Sequence, residues 1–538
     1  MCLLGFGISF LKNHMLENFP FYLGLVLTIV LLIMLAQKIK VAYPVLLVLG
    51  GLAIGAIPAV PVMHIEPDLL FIIFLPPLLY EAAWTISWKE LWRWRRIVSG
   101  FAFVVVFLTA LSVAFAANYF IPGFSLALGF LLGGIVSPPD AVSAGAILKF
   151  VKVPRRITSI LAGESLLNDA SSLIIFRFAS IAVTTGQFIW HEAALSFSWM
   201  LIGGIGVGLL VGWVFMKMHK YLPTDVNTDV VLTLLAPYVM YIAAEEVHSS
   251  GVLAVVSGGL LLSQKRHLFL SSASRLRGVN VWESLCFVLN GLVFMLIGLD
   301  LPEIVAGLGT VGIWQAIGYG VLVTGVLIGV RMLAAYGAVA VTLVARNYIT
   351  VADGRNPGLK GPALIGWTGM RGVLSLAAAL SIPVKLDNGN DFPQRNLILF
   401  ITFVVILLTL VLQGLTLPYI IRKMNLKDPD AYRPEEEVEA ILKHKLATEA
   451  LNYLESHYAE EVKTREAMKR LKRKIEDGQA MAQDVEMTDF SKQAYREILG
   501  RQREWLIHKN EQIPLLDEEL IRRQLQFLDL EEERLYYL

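Results

Sequence analysis

The chain reads as an all-α integral membrane protein, a bundle of about thirteen transmembrane helices followed by a charged helical tail. Three observations predict this. Hydrophobic residues make up 56% of the 538 positions and charged ones 17%, where a soluble chain carries about a quarter charged residues. The mean hydropathy is +0.61. The apolar residues also fall into runs of roughly 20, the length that crosses a ~30 Å hydrocarbon core as a helix.

Taken in order, the predicted spans are 20–37, 43–58, 67–86, 97–120, 124–148, 157–184, 195–217, 229–247, 250–264, 281–299, 312–345, 361–383 and 395–421. Two are short (43–58 and 250–264), and 312–345 is long enough to tilt. With thirteen spans every basic cluster falls on one side: Lys38/Lys40, Lys89/Arg93/Arg95/Arg96, Lys149/Lys152/Arg155/Arg156, Lys217/Lys220, Lys265/Arg266/Arg275/Arg277, Arg346/Arg355/Lys360 and Arg422/Lys423/Lys427. The opposite loops (59–66, 121–123, 185–194, 300–311, 384–394) are nearly free of Lys and Arg. Basic excess marks the cytoplasm, so the N-terminus is expected outside and the C-terminus inside. Residues 1–424 are expected to form the transporter bundle. Residues 425–538 are charged, with Val438, Ile441, Leu442, Leu446, Leu451 and Leu454 at helical spacing. They read as a soluble cytoplasmic helical tail, either a solvated appendage or a regulatory or dimer-supporting element.

Composition also excludes function classes. A net charge of +1 points neither to nucleic acid nor to an acidic partner. Cys2 and Cys286 have no metal-ligand spacing and make no disulfide framework. Residues 1–12 are apolar but too short to span and lack a cleavage pattern, so no cleaved signal peptide is expected. Without a phosphate loop, zinc cluster or nucleophile motif, no enzyme activity and no cofactor are expected. A gradient-driven process is.

The polar residues inside the apolar runs carry the chemistry. Gly163-Glu-Ser-Leu-Leu-Asn-Asp169 places Glu164, Ser165, Asn168 and Asp169 on two adjacent stripes of the sixth span. Asp169 lies roughly 20 Å from the inner end at Arg156, near mid-bilayer. Ser or Asn alone would fit as polar glue between helices. Two carboxylates within one and a half turns fit an ion or proton path better, because a charge at that depth needs a partner, a proton or a cation. The fifth span is interrupted at Ser137-Pro-Pro-Asp140. Two prolines remove two backbone donors, and unwound backbone is tolerated at that depth where it lines a cavity or is buried in protein. Asp140 then has two roles open to it: ion ligand, or fixed charge offsetting the positive end of the next half-helix. In the twelfth span Gly366, Gly369 and Gly372 permit unwinding, and Arg371 would offset negative half-helix ends. Interrupted helices in corresponding positions predict two inverted repeats, spans 1–6 and 8–13, around a midplane site.

The remaining charges need partners. Arg331, deep in the eleventh span, is always protonated and points to Glu164 as a structural counter-charge. Glu81 either lines the cation path or sits at the inner interface. Arg177 is expected to snorkel to the outer surface. Glu245, Glu246 and His248 crowd the outer end of the eighth span and read as interfacial.

Over roughly 20–425 these residues resemble the NhaP/NHE-type monovalent cation:proton antiporters, and the wording of several segments is nearest the bacterial branch. Gly163–Asp169, residues 369–383, Ser250-Gly-Val-Leu-Ala-Val-Val and Trp282-Glu…Asn290…Phe294…Gly298 carry the likeness. The resemblance implies that Asp169 takes either cation or proton. It implies that Ser165 and Glu81 help coordinate Na+ or K+ with a backbone oxygen near Pro139, that Asn168 organises the helix crossing, and that Glu164–Arg331 is an internal pair. It implies a homodimer in the plasma (inner) membrane serving pH and cation homeostasis. Where the family often has Thr-Asp-Pro, this chain has Pro139-Asp140-Ala141, which keeps the break and loses a hydroxyl. The expected activity is electroneutral exchange of one Na+ (or K+, Li+) for one H+, since Asn168 in place of a second aspartate leaves one transported charge. The alternatives are a K+-selective exchanger and a cation channel.

Overall fold

The computed structural model describes residues 2–57, 67–148, 151, 153–186, 190–309, 311–348, 358–386, 389–426, 435–476, 489–513 and 517–535. Among these residues the secondary structure is helical, apart from one isolated bridge between Lys385 and Asp391. Among the described residues eight helices are long and apolar enough to cross a membrane: Pro20–Ile39, Trp88–Phe120, Arg155–Thr185, Ala194–Tyr221, Val226–Glu246, Ser272–Ala306, Ile313–Ala345 and Arg395–Met424. Tyr43–Gly55, Phe71–Thr85 and Leu126–Val136 are shorter apolar helices.

Several boundaries differ from the sequence expectation, each for a local reason. The span expected from 97 begins at Trp88, where Ser87 accepts a hydrogen bond from the Glu90 amide at 3.2 Å and caps the helix. Its basic first turns are amphipathic, with Leu91, Trp94 and Val98 buried and the arginines turned out. The span expected from 281 begins at Ser272, again behind a serine cap (Ser271 to the Ser274 amide, 3.1 Å). Arg275 and Arg277 thus sit on a helix rather than in a loop. The expected outer loop 300–311 contains a short helix, Leu301–Ala306, with a proline in its first turn, where the missing N–H costs nothing. Lys149, Lys152, Arg355, Lys427 and loop 59–66 lie outside the described residues.

The helices pack closely where small residues meet. A Cβ on Gly298 would lie 2.1 Å from the Val48 carbonyl oxygen, and one on Gly51 would lie 2.1 Å from that of Met295. Glycine at both positions therefore lets the Tyr43–Gly55 and Ser272–Leu299 backbones touch. Two large apolar clusters result. One gathers Leu47, Leu131, Val136, Leu161, Met370 and Phe400. The other gathers Leu75, Tyr80, Leu166, Ala170, Val255 and Leu374. The Arg155–Thr185 helix contributes to both, which sets Asn168 and Asp169 at their boundary. Large apolar side chains such as Leu333, 75% exposed, and Ile202, 69% exposed, face outward as lipid contact requires.

Beyond residue 434 the helices Glu435–His457, Ala459–Thr464, Glu466–Glu476, Asp489–Gln512 and Glu518–Arg534 have apolar clusters of their own. Leu442, Leu446 and Leu454 are buried there, and Leu451 is half-buried. These helices also dock on the bundle. Lys89 donates to the Asn510 carbonyl at 3.0 Å, Arg522 to the Ile86 carbonyl at 2.7 Å, Arg275 pairs with Asp529 and Arg155 with Asp517. The ends of the Pro67–Thr85, Trp88–Ser99, Arg155–Thr185 and Ser272–Leu299 helices therefore share one face with the C-terminal helices.

Candidate functional site

The site forms where two helices stop and restart side by side. Helix Leu126–Val136 ends before Pro138-Pro139, and Ala141–Leu148 resumes after Asp140. Helix Lys360–Trp367 ends at Thr368, and Val373–Leu380 resumes after Gly372. The two breaks are stitched together by backbone, the Asp140 amide donating to the Met370 carbonyl at 2.7 Å. Each break leaves a helix C-terminus and a helix N-terminus unsatisfied, and all four carry partial charge.

Side chains meet those charges. Asp140 caps the half-helix that follows it, accepting from the Val142 amide at 2.9 Å, from the Ser143 amide at 3.3 Å and from the Ser143 hydroxyl. It also lies against the start of the second resumed helix, where a Cβ on Gly372 would fall 2.2 Å from Asp140 Oδ2. Only glycine leaves room there. Arg371 does the converse job at the C-termini. Its Nε donates to the Val136 carbonyl at 2.6 Å, and a second nitrogen donates to the Gly369 carbonyl. The Arg371 amide is held by Thr409 Oγ1 at 3.1 Å. Thr409 opens a π-helical turn, Thr409–Gln413, in the last long apolar helix, and such turns recur at functional positions.

Arg331 and Glu164 form a bidentate pair at 2.6 and 2.9 Å, their side chains 4% and 1% exposed. Arg331 also reaches the Thr368 carbonyl at 3.4 Å, so this pair buttresses the second break. Glu164 is thereby occupied.

Asn168 and Asp169 come next on the same helix. Asn168 Nδ2 donates to the Pro139 carbonyl, a group freed by the proline pair, at 3.0 Å. Asn168 Oδ1 is buried and has no hydrogen-bond partner among the described residues. Ser171 anchors the same turn to the Ala102 carbonyl, which belongs to a second π-helical turn, Gly100–Val105. Asp169 is half-buried and lies within the field of Asp140. Ser165, one turn earlier, is half-buried too. Glu81 is half-buried on the Pro67–Thr85 helix, and Tyr43 lies in the fields of both Glu81 and Asp140. Pro139, Asp140, Asn168, Asp169 and Arg371 thus share one crossing, while Glu81 is linked to it only through Tyr43, on which both Glu81 and Asp140 act.

Other charges sit elsewhere. Arg177, expected to snorkel to the outer surface, pairs with Glu245 at 2.7 Å. Glu246 and His248 are exposed. Sequence reasoning missed Thr409 and Tyr43. Thr402, Thr409 and Gln413 form a buried polar stripe at spacings of seven and four along an otherwise apolar helix, a signal that was present.

Comparison with known proteins gives the family and the fold. The profile of the transmembrane sodium/hydrogen exchanger family matches residues 24–423. A sodium, potassium, lithium and rubidium/H+ antiporter of Bacillus pumilus is 33% identical over 384 residues, covering 70% of this chain and 57% of that protein. This chain therefore spans little more than half the length of that relative. The Na+/H+ antiporter ApNhaP of Aphanothece halophytica is 32% identical over 424 residues, covering 78% and 76%. The solved structure of the sodium proton antiporter MjNhaP1 from Methanocaldococcus jannaschii superposes with a TM-score of 0.60 at 20% identity, covering 74% of this chain and 99% of that one. The chain is a multi-pass membrane protein and belongs to the sodium/hydrogen exchanger family.

Proposed function

We propose that this protein is a secondary-active antiporter exchanging one monovalent cation, Na+ or K+, for one proton at Asp169. The observation that carries the reading is the Asn168–Pro139 bond. It ties the Asp169 turn to the unwound backbone, beside a crossing whose helix-end charges are met by Asp140 and Arg371. A bare carboxylate there is poorly solvated, so a proton and a cation compete to neutralise it. Either occupant lets the carrier cross the membrane, while the bare anion is held back by its desolvation cost. Ser165 and Glu81 serve as further oxygen ligands. Asp140 chiefly holds the break, since both its oxygens accept from the half-helix. With Asn168 uncharged and Glu164 bound to Arg331, Asp169 alone moves charge, which makes the exchange electroneutral.

Thirteen crossings, two inverted repeats with the breaks in corresponding positions, an outside N-terminus, an inside C-terminus and a homodimer complete the reading. Residues 1–424 would form the transporting body and 425–538 a cytoplasmic helical domain. A K+ preference is kept as the second reading because the Bacillus relative is named for potassium and rubidium as well as sodium. The test is dissipation of an imposed proton gradient in proteoliposomes on adding Na+, Li+ or K+. Saturable, cation-dependent alkalinisation without net current is the expected result. Current that follows membrane voltage and does not saturate would overturn it in favour of a channel.

A further inference from the structure

A partly open cavity lies away from the helix crossing, between the bundle and the C-terminal helices. It holds about 550 Å³ of space, solvent included, and is lined by Trp84, Arg266, Arg275, Arg503, Arg522 and Asp529 among others. Four guanidinium groups thus converge from four separate elements. Three of them are compensated. Arg275 bonds Asp529, Arg503 bonds Asp529 and Glu532 at 3.0 and 2.6 Å, and Arg522 bonds Glu518 at 3.1 Å.

Arg266 is different. It has no hydrogen bond or ion pair among the described residues; the Trp84 ring lies 5.9 Å away, and the Asp529 and Glu518 carboxylates, already bonded to other arginines, act on it only at longer range. Burial, then the neighbouring Arg522 and Arg275, push its pKa down to about 10, so it remains a cation at neutral pH. Arg503 adds a buried Nε with no acceptor. Four guanidinium groups share fewer carboxylates at this point, and a half-buried cation with no bonded partner beside an idle guanidinium donor favours a further anion. Guanidinium forks match the oxygens of phosphate. Trp84, Leu276, Val279 and Leu525 add apolar wall, with His267 and Gln526 beside them, and this mixed lining suits the organic part of a phosphate ester.

We propose that this cavity binds a phosphate-bearing anion that bridges the bundle and the C-terminal helices. The phosphate belongs either to a lipid headgroup or to a soluble molecule, and the site stands whether or not the transport reading does.

The test uses the full-length purified protein and follows its thermal unfolding. One arm adds pyrophosphate in detergent; the other compares nanodiscs of phosphatidylcholine with nanodiscs containing phosphatidic acid. The expected result is a saturable rise in unfolding temperature in at least one arm, not reproduced by chloride at equal ionic strength. A response in the first arm alone assigns a soluble ligand, and in the second alone a lipid. Arg266→Gln should weaken the response about tenfold or more, the loss expected for one charge-assisted contact. Gln526→Glu, which adds a carboxylate at the exposed rim, should weaken it similarly and serves if Arg266→Gln fails to fold. No response in either arm, or an unchanged response in both variants, would overturn the proposal.

Discussion

Two charged regions of this molecule use the same residue types in opposite settings. At the helix crossing, Arg371, Asp140, Arg331 and Glu164 sit among apolar side chains, and each answers a specific charge: a half-helix end or one another. At the face where the C-terminal helices dock, the partners are many and several are wet; in the Arg277–Glu533 pair the side chains are 50% and 21% exposed at 4.0 Å. The crossing tolerates no missing partner, because an uncompensated charge out of water is expensive. The exposed pairs of the docking face tolerate such a loss, because water and salt replace what is lost. Charge in the first region specifies a geometry, and in the second it adjusts an affinity.

The contrast can be broken by substitution. The largest effect is expected from Asp169→Asn, which should abolish cation-driven proton movement in proteoliposomes while the unfolding temperature stays near that of the parent. Arg371→Gln should follow. It strips two half-helix C-termini of their cation, so we expect a loss of about 3 kcal/mol or more in stability and little transport, read by thermal unfolding and flux. Glu164→Gln leaves Arg331 buried without a counter-charge and should cost about 3–5 kcal/mol, whereas Glu164→Leu with Arg331→Met should recover much of it. Asn168→Ala removes the bond to the Pro139 carbonyl and should cost about 1–3 kcal/mol, with weaker cation binding as the second readout. The smallest effect is expected at Arg277→Ala, below about 1 kcal/mol and vanishing in high salt. If Arg277→Ala proved as damaging as Glu164→Gln, the division between the two regions would fail.

Much of the first region was legible in the chain, and almost none of the second. Pro76-Pro77 stays within the Pro67–Thr85 helix, but Pro138-Pro139 is followed by the charge of Asp140, and Arg371 inside a glycine-rich apolar run demands acceptors, so both breaks announce themselves. Glu164 and Arg331 each call for an opposite charge in lipid, which narrows the choice of partner from residue type alone. The π-helical turns at Gly100–Val105 and Thr409–Gln413 left no such mark, because one extra residue in a helical turn shifts a polar side chain without altering composition. Thr409 showed only as one member of a sparse polar stripe, and Tyr43, at the start of an ordinary helix, gave no signal of its own. The docking of Glu518–Arg534 depends on pairs such as Arg275–Asp529, separated by 254 residues, and charged surface positions carry no periodic signal to match one with the other. Helix starts slipped at Trp88 and Ser272 because a serine cap and an amphipathic first turn extend a helix beyond its apolar run.

The central claim is that one mid-membrane carboxylate is shared between hydrogen ion and metal ion. Proton release on cation binding to the purified protein tests it most directly, in weakly buffered detergent solution with a pH indicator. One proton should appear per Na+ or K+ bound, and none in Asp169→Asn. Cation binding without proton release, or release that survives the Asp169→Asn substitution, would contradict the account.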